Sequence, residues 1–222
     1  MQDTRLQRGM TSFEVSKTII RCHPQIVGVR LLSHLVDVNW RQKYPGVNEK
    51  LRKLLESFDH GGITNVYNLD KDAYLNLDLS RFTKDFSEYE VLSFCSKVKL
   101  KDGSLRHIAM MNFHPEENVD LTHIRRAIQY ICGGREGVLL DSGRYYHYWG
   151  NFLLSEIEWL RFLGDFLMPT VIVSPRYIGH QLFNGSCTLR LTSDSTYKPQ
   201  IPTVIETITG KGEGSFAEPK EK

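Results

Sequence analysis

Hydrophobic positions along the chain follow two different periods. From residue 13 to residue 58 apolar side chains recur at helical spacing: Ile26, Val29, Leu32 (or Leu31), Leu35 and Val38, then Leu51, Leu54 and Leu55 between Val47 and Phe58. Pro45-Gly46 punctuates the two runs, and Gly61-Gly62 ends the pattern, so a helical N-terminal segment is expected over residues 1–62. The period then shortens. Tyr74-Leu-Asn-Leu-Asp-Leu-Ser80 alternates strictly, which predicts a half-buried strand with Leu75, Leu77 and Leu79 on one face and Asn76 and Asp78 on the other.

Local stop and start signals organise the rest. Asp102-Gly103 separates two strand-like runs, Ser96-Lys-Val-Lys-Leu100 and Leu105-Arg-His-Ile-Ala-Met-Met-Asn-Phe-His114, and predicts a hairpin; Pro115 stops the second run. Leu121, Ile124, Ile128 and Ile131 form a helical stripe behind an Asp120 or Thr122 cap, and Gly133-Gly134 ends it. Gly137-Val-Leu-Leu140 reads as a buried strand, so residues 105–149 run strand, helix, strand, a unit that favours adjacent parallel strands. Ser155-Glu-Ile-Glu158 is a capping box ahead of Trp159, Leu160, Leu163 and Leu167, and Pro169 closes that helix. Three short strands are expected at 170–173, 177–182 and 188–192.

Composition narrows the class. With 222 residues and 41% hydrophobic content the chain builds a sizeable core. The net charge of +2 announces neither a nucleic-acid nor a membrane binder, so electrostatics must be read locally. Arg41, Lys43, Lys50, Arg52 and Lys53 fit a solvated helix face. The four cysteines are far apart and form no C-x-x-C pair, which argues against a zinc ribbon or a disulfide framework and for a reducing cytoplasm. The polar start carries no secretory signal, and no apolar run approaches a membrane span of about 18 residues, so no membrane partner is expected. The main core is expected over residues 63–206. Residues 207–222 are rich in Gly, Lys and Glu and are expected to form a disordered tail.

Candidate chemistry concentrates in Asp141-Ser-Gly-Arg-Tyr-Tyr-His-Tyr-Trp-Gly150, where a strand leaves a sheet and ligand sites commonly form. Asn112 and His114 share one strand face about 7 Å apart and are expected to flank Ser142 and His147. Arg176 and His180 in Ser174-Pro-Arg-Tyr-Ile-Gly-His180, and Arg190 between Thr188 and Thr192, add to Arg144 and His147 a convergent basic set. Guanidinium forks match phosphate oxygens, although Arg176 and Arg190 equally suit ion pairs with Asp141 or Asp194. Tyr145, Tyr146, Tyr148 and Trp149 either stack bases or face the core. A Gly-x-Ser-x-Gly elbow, a P-loop and a dinucleotide glycine fingerprint are absent.

Taken in order, the strand bearing Asn112 and His114, the helix, the Ser-x-x-x-x-His segment (Ser142 to His147), the capped helix and the run Pro-Arg-Tyr-Ile-Gly-His-x-Leu followed by Leu-Arg-Leu-Thr resemble the archaeo-eukaryotic primase-polymerase superfamily. The resemblance spans about residues 64–205, with 33 residues from His114 to His147 and 27 from His147 to Ser174. It implies an α/β (α+β) core, a mixed β-sheet flanked by helices. It also implies two acids in the first motif, a phosphate-gripping Ser and His in the second, an acid in the third, and two divalent metals (Mg2+ or Mn2+) held by those acids. The acid positions fall here on Asn112, His114 and Ser174, none of which is a hard carboxylate. A different register, with Asn76-Leu-Asp78 as the first motif, keeps one acid but sets it 69 residues before His147.

The resemblance thus implies a nucleotide or nucleic-acid partner, gripped through Ser142, Arg144, His147, Arg176, His180 and Arg190. Two-metal catalysis is expected to be lost, and the chain to serve as a subunit of a replication or antiviral-defence assembly. One alternative is an active nucleotidyltransferase whose remodelled metal site uses Asp78, Asp141 or His114 and favours manganese. Another is a scaffold in a multi-protein complex, docking through its basic N-terminal face.

Overall fold

In a computed structural model, which describes residues 5–35, 46–51, 54, 62–194 and 198–209, a single sheet organises the chain. The elements run α1 (Ser12–Cys22), β1 (Ile26–Leu35), β2 (Ile63–Asp70), α2 (Lys71–Leu75), α3 (Leu79–Phe82), β3 (Glu90–Cys95), β4 (Lys97–Leu100) and β5 (Leu105–Phe113). They continue with α4 (Leu121–Ile131), β6 (Gly137–Asp141), β7 (Tyr146–Leu154), α5 (Glu156–Leu167), α6 (Pro175–Asn184), β8 (Thr188–Arg190) and β9 (Thr203–Ile208). The sheet order is β8-β3-β1-β4-β5-β7-β6-β9, with β2 on the other edge of β1. The α+β class agrees with the sequence reading. The sheet is not mixed: every pairing among the described residues is antiparallel.

Three expectations are corrected. The first is the helical N-terminal segment. Within residues 5–35 α1 is helical, started by a Thr11–Glu14 capping box, whereas residues 26–35 form β1 and bond to β2, β3 and β4. Ile26, Val29 and Leu31 are buried, and the side chains between them are mostly half-buried. Apolar residues stand on both faces of this strand, and such a near-continuous run satisfies helical spacing by accident. β1 therefore belongs to the same sheet as the rest of the core. Half of the second expected helix, residues 52–53 and 55–58, lies outside the described residues; of the described half, 49–51 and 54 are helical.

The second correction concerns residues 74–80. Asp70 and Asp78 act as N-caps there: the Asp70 carboxylate accepts from the Ala73 amide, and Asp78 from the Ser80 and Arg81 amides. An aspartate that satisfies the orphan amides of a first turn starts a helix, and so overrides the alternation. The result is α2 and α3, with Tyr74 fully buried and its hydroxyl bonded to Ser16. The third correction lies after α5. Residues 170–173 form a turn, and 177–182 lie in α6, which has Pro175 in its first turn and Gly185 as a left-handed C-cap at φ 63°. The expected strand at 188–192 survives as β8.

Locally signalled elements form as expected: the β4–β5 hairpin, α4 behind the Asp120 cap, and α5 behind the Ser155–Glu158 box. β5 and β6 point the same way but are not neighbours, because β7 folds back from β6 and lies between them. The adjacent parallel pair expected from the sequence is thereby replaced by a hairpin.

Two features shape the site. β5 touches β8 although three strands separate them in the sheet, so the sheet curls. The segment before α1 is laced to β9 by Gly9 N–H to Val204 O (2.9 Å), Val204 N–H to Met10 O (2.8 Å) and Ser12 N–H to Pro202 O (2.8 Å). Thr207 and Ile208 lie in β9, while residues 210–222 fall outside the described residues. The four cysteines form no disulfide, and no helix among the described residues is long and apolar enough to cross a membrane.

Candidate phosphate-facing cavity

The curl of the sheet leaves a cavity of about 510 Å³ against the ends of β1, β5, β7 and β8. Asn112 and His147 are opposite one another on β5 and β7, and Ser93 and Arg190 on β3 and β8. The 142–145 turn roofs the cavity. Its Ser142 amide and hydroxyl both donate to Tyr145 O, at 2.9 and 2.7 Å, and the Gly143 amide donates to Asp141 Oδ1 at 2.7 Å. Gly143 has φ +90°, and a Cβ there would lie 2.9 Å from the Gln200 side chain, so glycine is required by both conformation and contact.

Arg190 holds these walls together. Its Nη1 donates to Thr192 O (2.7 Å), Gln200 O (2.6 Å) and Lys198 O (3.4 Å), and its Nη2 to Ser142 O (2.8 Å). One buried guanidinium thus ties the roof turn to the segment at 198–200. This use of Arg190, bonding to carbonyls, is neither of the two roles the sequence offered for it.

The lining is cationic and imidazole-rich. His34, His114, Arg144, His147, Arg190 and Lys198 all face the cavity, and no Asp or Glu is among the lining residues. His147 is 5% exposed, and its Nδ1 has no hydrogen-bond partner. Burial holds its ring well below the usual imidazole range, assisted by Arg190, Lys198 and His114. Burial likewise pushes His34 down to about 4, helped by Lys198 and Arg190. His114 is also pushed down to about 4, by burial first and then by Lys198 and Arg144, against the backbone of Asn112. Burial and Arg190 lower Lys198 to about 8, while Asp194 pulls the other way. Each cation raises the cost of charging its neighbours.

Of the sequence-selected residues, Asn112, His114, Ser142, Arg144, His147 and Arg190 are brought together. Five are not. Arg176 is exposed on α6 and donates from Nε to His180 Nε2 at 3.3 Å, one helical turn away, so neither reaches the lining. Ser174 stands at the N-cap of α6, Asp141 braces the roof turn, and Asp78 caps α3; none of the three lines the cavity. His34, Tyr177, Gln181, Lys198 and Gln200 line it without having been singled out. Their sequence positions carry no shared motif, and only the curl unites them.

This donor set does not fit the divalent metals that the family resemblance implies. Mg2+ favours hard, charged oxygen ligands, and the lining offers amides, hydroxyls, imidazoles and cations but no carboxylate. No cluster of three His, Cys, Asp or Glu among the described residues is arranged to hold a metal.

Comparison with known proteins places this architecture. Residues 75–203 match the sequence model of a family described as archaeo-eukaryotic primase 1D-like, and that span contains every cavity-lining residue except His34. No curated protein and no solved structure matches the chain. The match covers more than half of the sequence, and the chain therefore belongs to the archaeo-eukaryotic primase-like family.

Proposed function

We propose that this chain is a primase-like nucleotide- or nucleic-acid-binding protein that grips phosphate in the cavity and has lost two-metal polymerase chemistry. The observation that carries this reading is the acid-free lining, in which three imidazoles, two guanidiniums and one ammonium converge. Such a set stabilises an anion and repels a hard cation. Arg144, exposed at the rim, and the deeper His147 and Lys198 are the gripping groups; Ser142 and Arg190 set the walls. Arg176 and His180 are not part of the grip. Tyr145, whose ring centroid lies 4.0 Å from that of His114, gives the cavity an aromatic side on which a base can rest. The volume lies within the usual range for small-molecule pockets, roughly 300–1,000 Å³.

The free cysteines suit a reducing cytoplasm. A role as a subunit of a replication or defence assembly is supported by large apolar side chains exposed on and after α5 and on α6, among them Ile157, Met168 and Phe183.

The test is a titration with nucleoside triphosphates and primer-template DNA in EDTA, then with Mg2+ or Mn2+, on the wild type and His147→Ala. Metal-independent binding that weakens at least about tenfold in the variant is expected, equivalent to about 1.4 kcal/mol. Failure to bind any nucleotide or nucleic acid would sink the reading. Incorporation of labelled nucleotide under either metal would replace it with a nucleotidyltransferase.

A further inference from the structure

The cavity is asymmetric in a way that phosphate binding alone does not require. Its imidazoles come from three strands or strand ends: His34 on β1, His114 after β5 and His147 on β7. His147 is opposite Asn112 on β5 and Leu140 on β6, and among its charged neighbours are Arg190 on β8, Lys198 and His114. Arg144 acts on His114 and Lys198, and Asp194, which acts on Arg190 and Lys198, is the one carboxylate among these influences. The Nδ1 of His147 is sealed from solvent without a partner, so the ring has an unused proton position inside a wall of cations.

We propose that the cavity binds its phosphate-class anion free of divalent metal and takes up protons as it does so, with His147 as the principal acceptor. This inference rests on the function proposed above. With the cavity empty, burial, assisted by the neighbouring cations, keeps the imidazoles neutral. An entering dianion reverses the sign of the local field, and the charged imidazolium then becomes the favoured form. The ligand and the proton therefore bind cooperatively, by linkage. Affinity rises as pH falls, by up to about tenfold per pH unit for each proton taken up. A metal-chelated phosphate brings a second cation into an acid-free site and loses this gain.

Isothermal titration calorimetry at pH 6.5 separates the possibilities. The probes are sulfate, which does not titrate in this range, and ADP in EDTA, each in two buffers of different ionisation heat. A heat that differs between buffers reports proton uptake, and at this pH Lys198, at about 8, is already charged. The expected result is uptake with sulfate that falls in His147→Gln, sulfate affinity that weakens from pH 6.5 to pH 7.5, and ADP binding that weakens on adding MgCl2. Binding with identical heats in both buffers overturns this inference and leaves the phosphate grip standing. Undiminished uptake in His147→Gln overturns the assignment to His147, and tighter ADP binding with MgCl2 overturns the metal-free ligand. No heat with either probe removes the phosphate grip and this inference with it.

Discussion

Two histidines, His107 and His147, are sealed inside the described part of this fold, and they are held in opposite ways. His107, fully buried on β5, has both ring nitrogens engaged: Nδ1 with Ser96 Oγ and Nε2 with Glu156 Oε2, each at 3.1 Å. The ring stacks on Trp159 at 4.3 Å and 10°, and Ser96 Oγ also accepts from the Cys187 amide at 2.9 Å. The ionised Glu156 carboxylate can only accept, so Nε2–H donates to it, and in the neutral ring Nδ1 accepts from the Ser96 hydroxyl. His147 is nearly as buried, yet its Nδ1 is bonded to nothing and its neighbours are cations. Burial by itself therefore does not mark a functional histidine. What separates the two is satisfaction: one ring completes a structural network, and the other leaves a buried ring nitrogen without a partner.

The contrast is broken most forcefully at Arg190. Arg190→Met removes four carbonyl contacts from a buried position and is expected to cost about 3 kcal/mol or more, read as a shift in the urea midpoint. His107→Ala comes next. It deletes a stacked, doubly bonded ring and is expected to cost about 2–3 kcal/mol while leaving nucleotide affinity within about twofold. A variant with intact stability, or with lost binding, would contradict the structural role.

Acid provides a third test. His34 and His114 sit at about 4 in the folded chain, below the ordinary imidazole value of about 6.5, so the unfolded chain binds more protons between these limits. Their contribution to stability is present above about pH 6.5 and is lost as pH falls toward 4. Denaturation curves across that window are expected to show the loss. A shallower slope is expected for His34→Gln, and an unchanged slope in that variant would argue against the assignment.

Smaller effects sharpen the comparison further. His147→Gln is expected to change stability by no more than about 0.5 kcal/mol, because it removes no observed Nδ1 bond, in contrast to His107→Ala. Arg176→Ala marks the low end: an exposed side chain outside the cavity, its loss should move neither the melting temperature nor nucleotide affinity appreciably.

Local chemistry was legible in the sequence, and long-range geometry was not. The Ser155–Glu158 box, the Asp120 cap and the Asp102-Gly103 turn act within four residues, so their structural consequences can be read directly. β1 is concealed because apolar residues on both of its faces erase the alternation that identifies a strand. In α6, the β-prone Tyr177 and Ile178 concealed a helix whose boundary signals, Pro175 and Gly185, stood in plain view. Asn112, His114, Ser142, Arg144 and His147 are legible because they lie on neighbouring strands or their ends and a shared turn. His34, Lys198 and Gln200 were missed because only the curl that sets β8 beside β5 makes them neighbours. Arg176 and His180 were over-counted for the converse reason: helical rotation turns them away.

The lacing of the segment before α1 onto β9 has a temporal consequence. Contacts such as Ser12 Oγ to Leu191 O span 179 residues, and the Arg190 clamp needs the carbonyls at 198–200. Contacts between such distant parts of a chain carry the largest loop-closure cost and tend to form late in folding. The site is therefore assembled near the end of the folding reaction, after the sheet that frames it. If the cavity binds as proposed, its ligand is a latch on this last step, slowing separation of the segment before α1 from β9 as well as occupying a pocket.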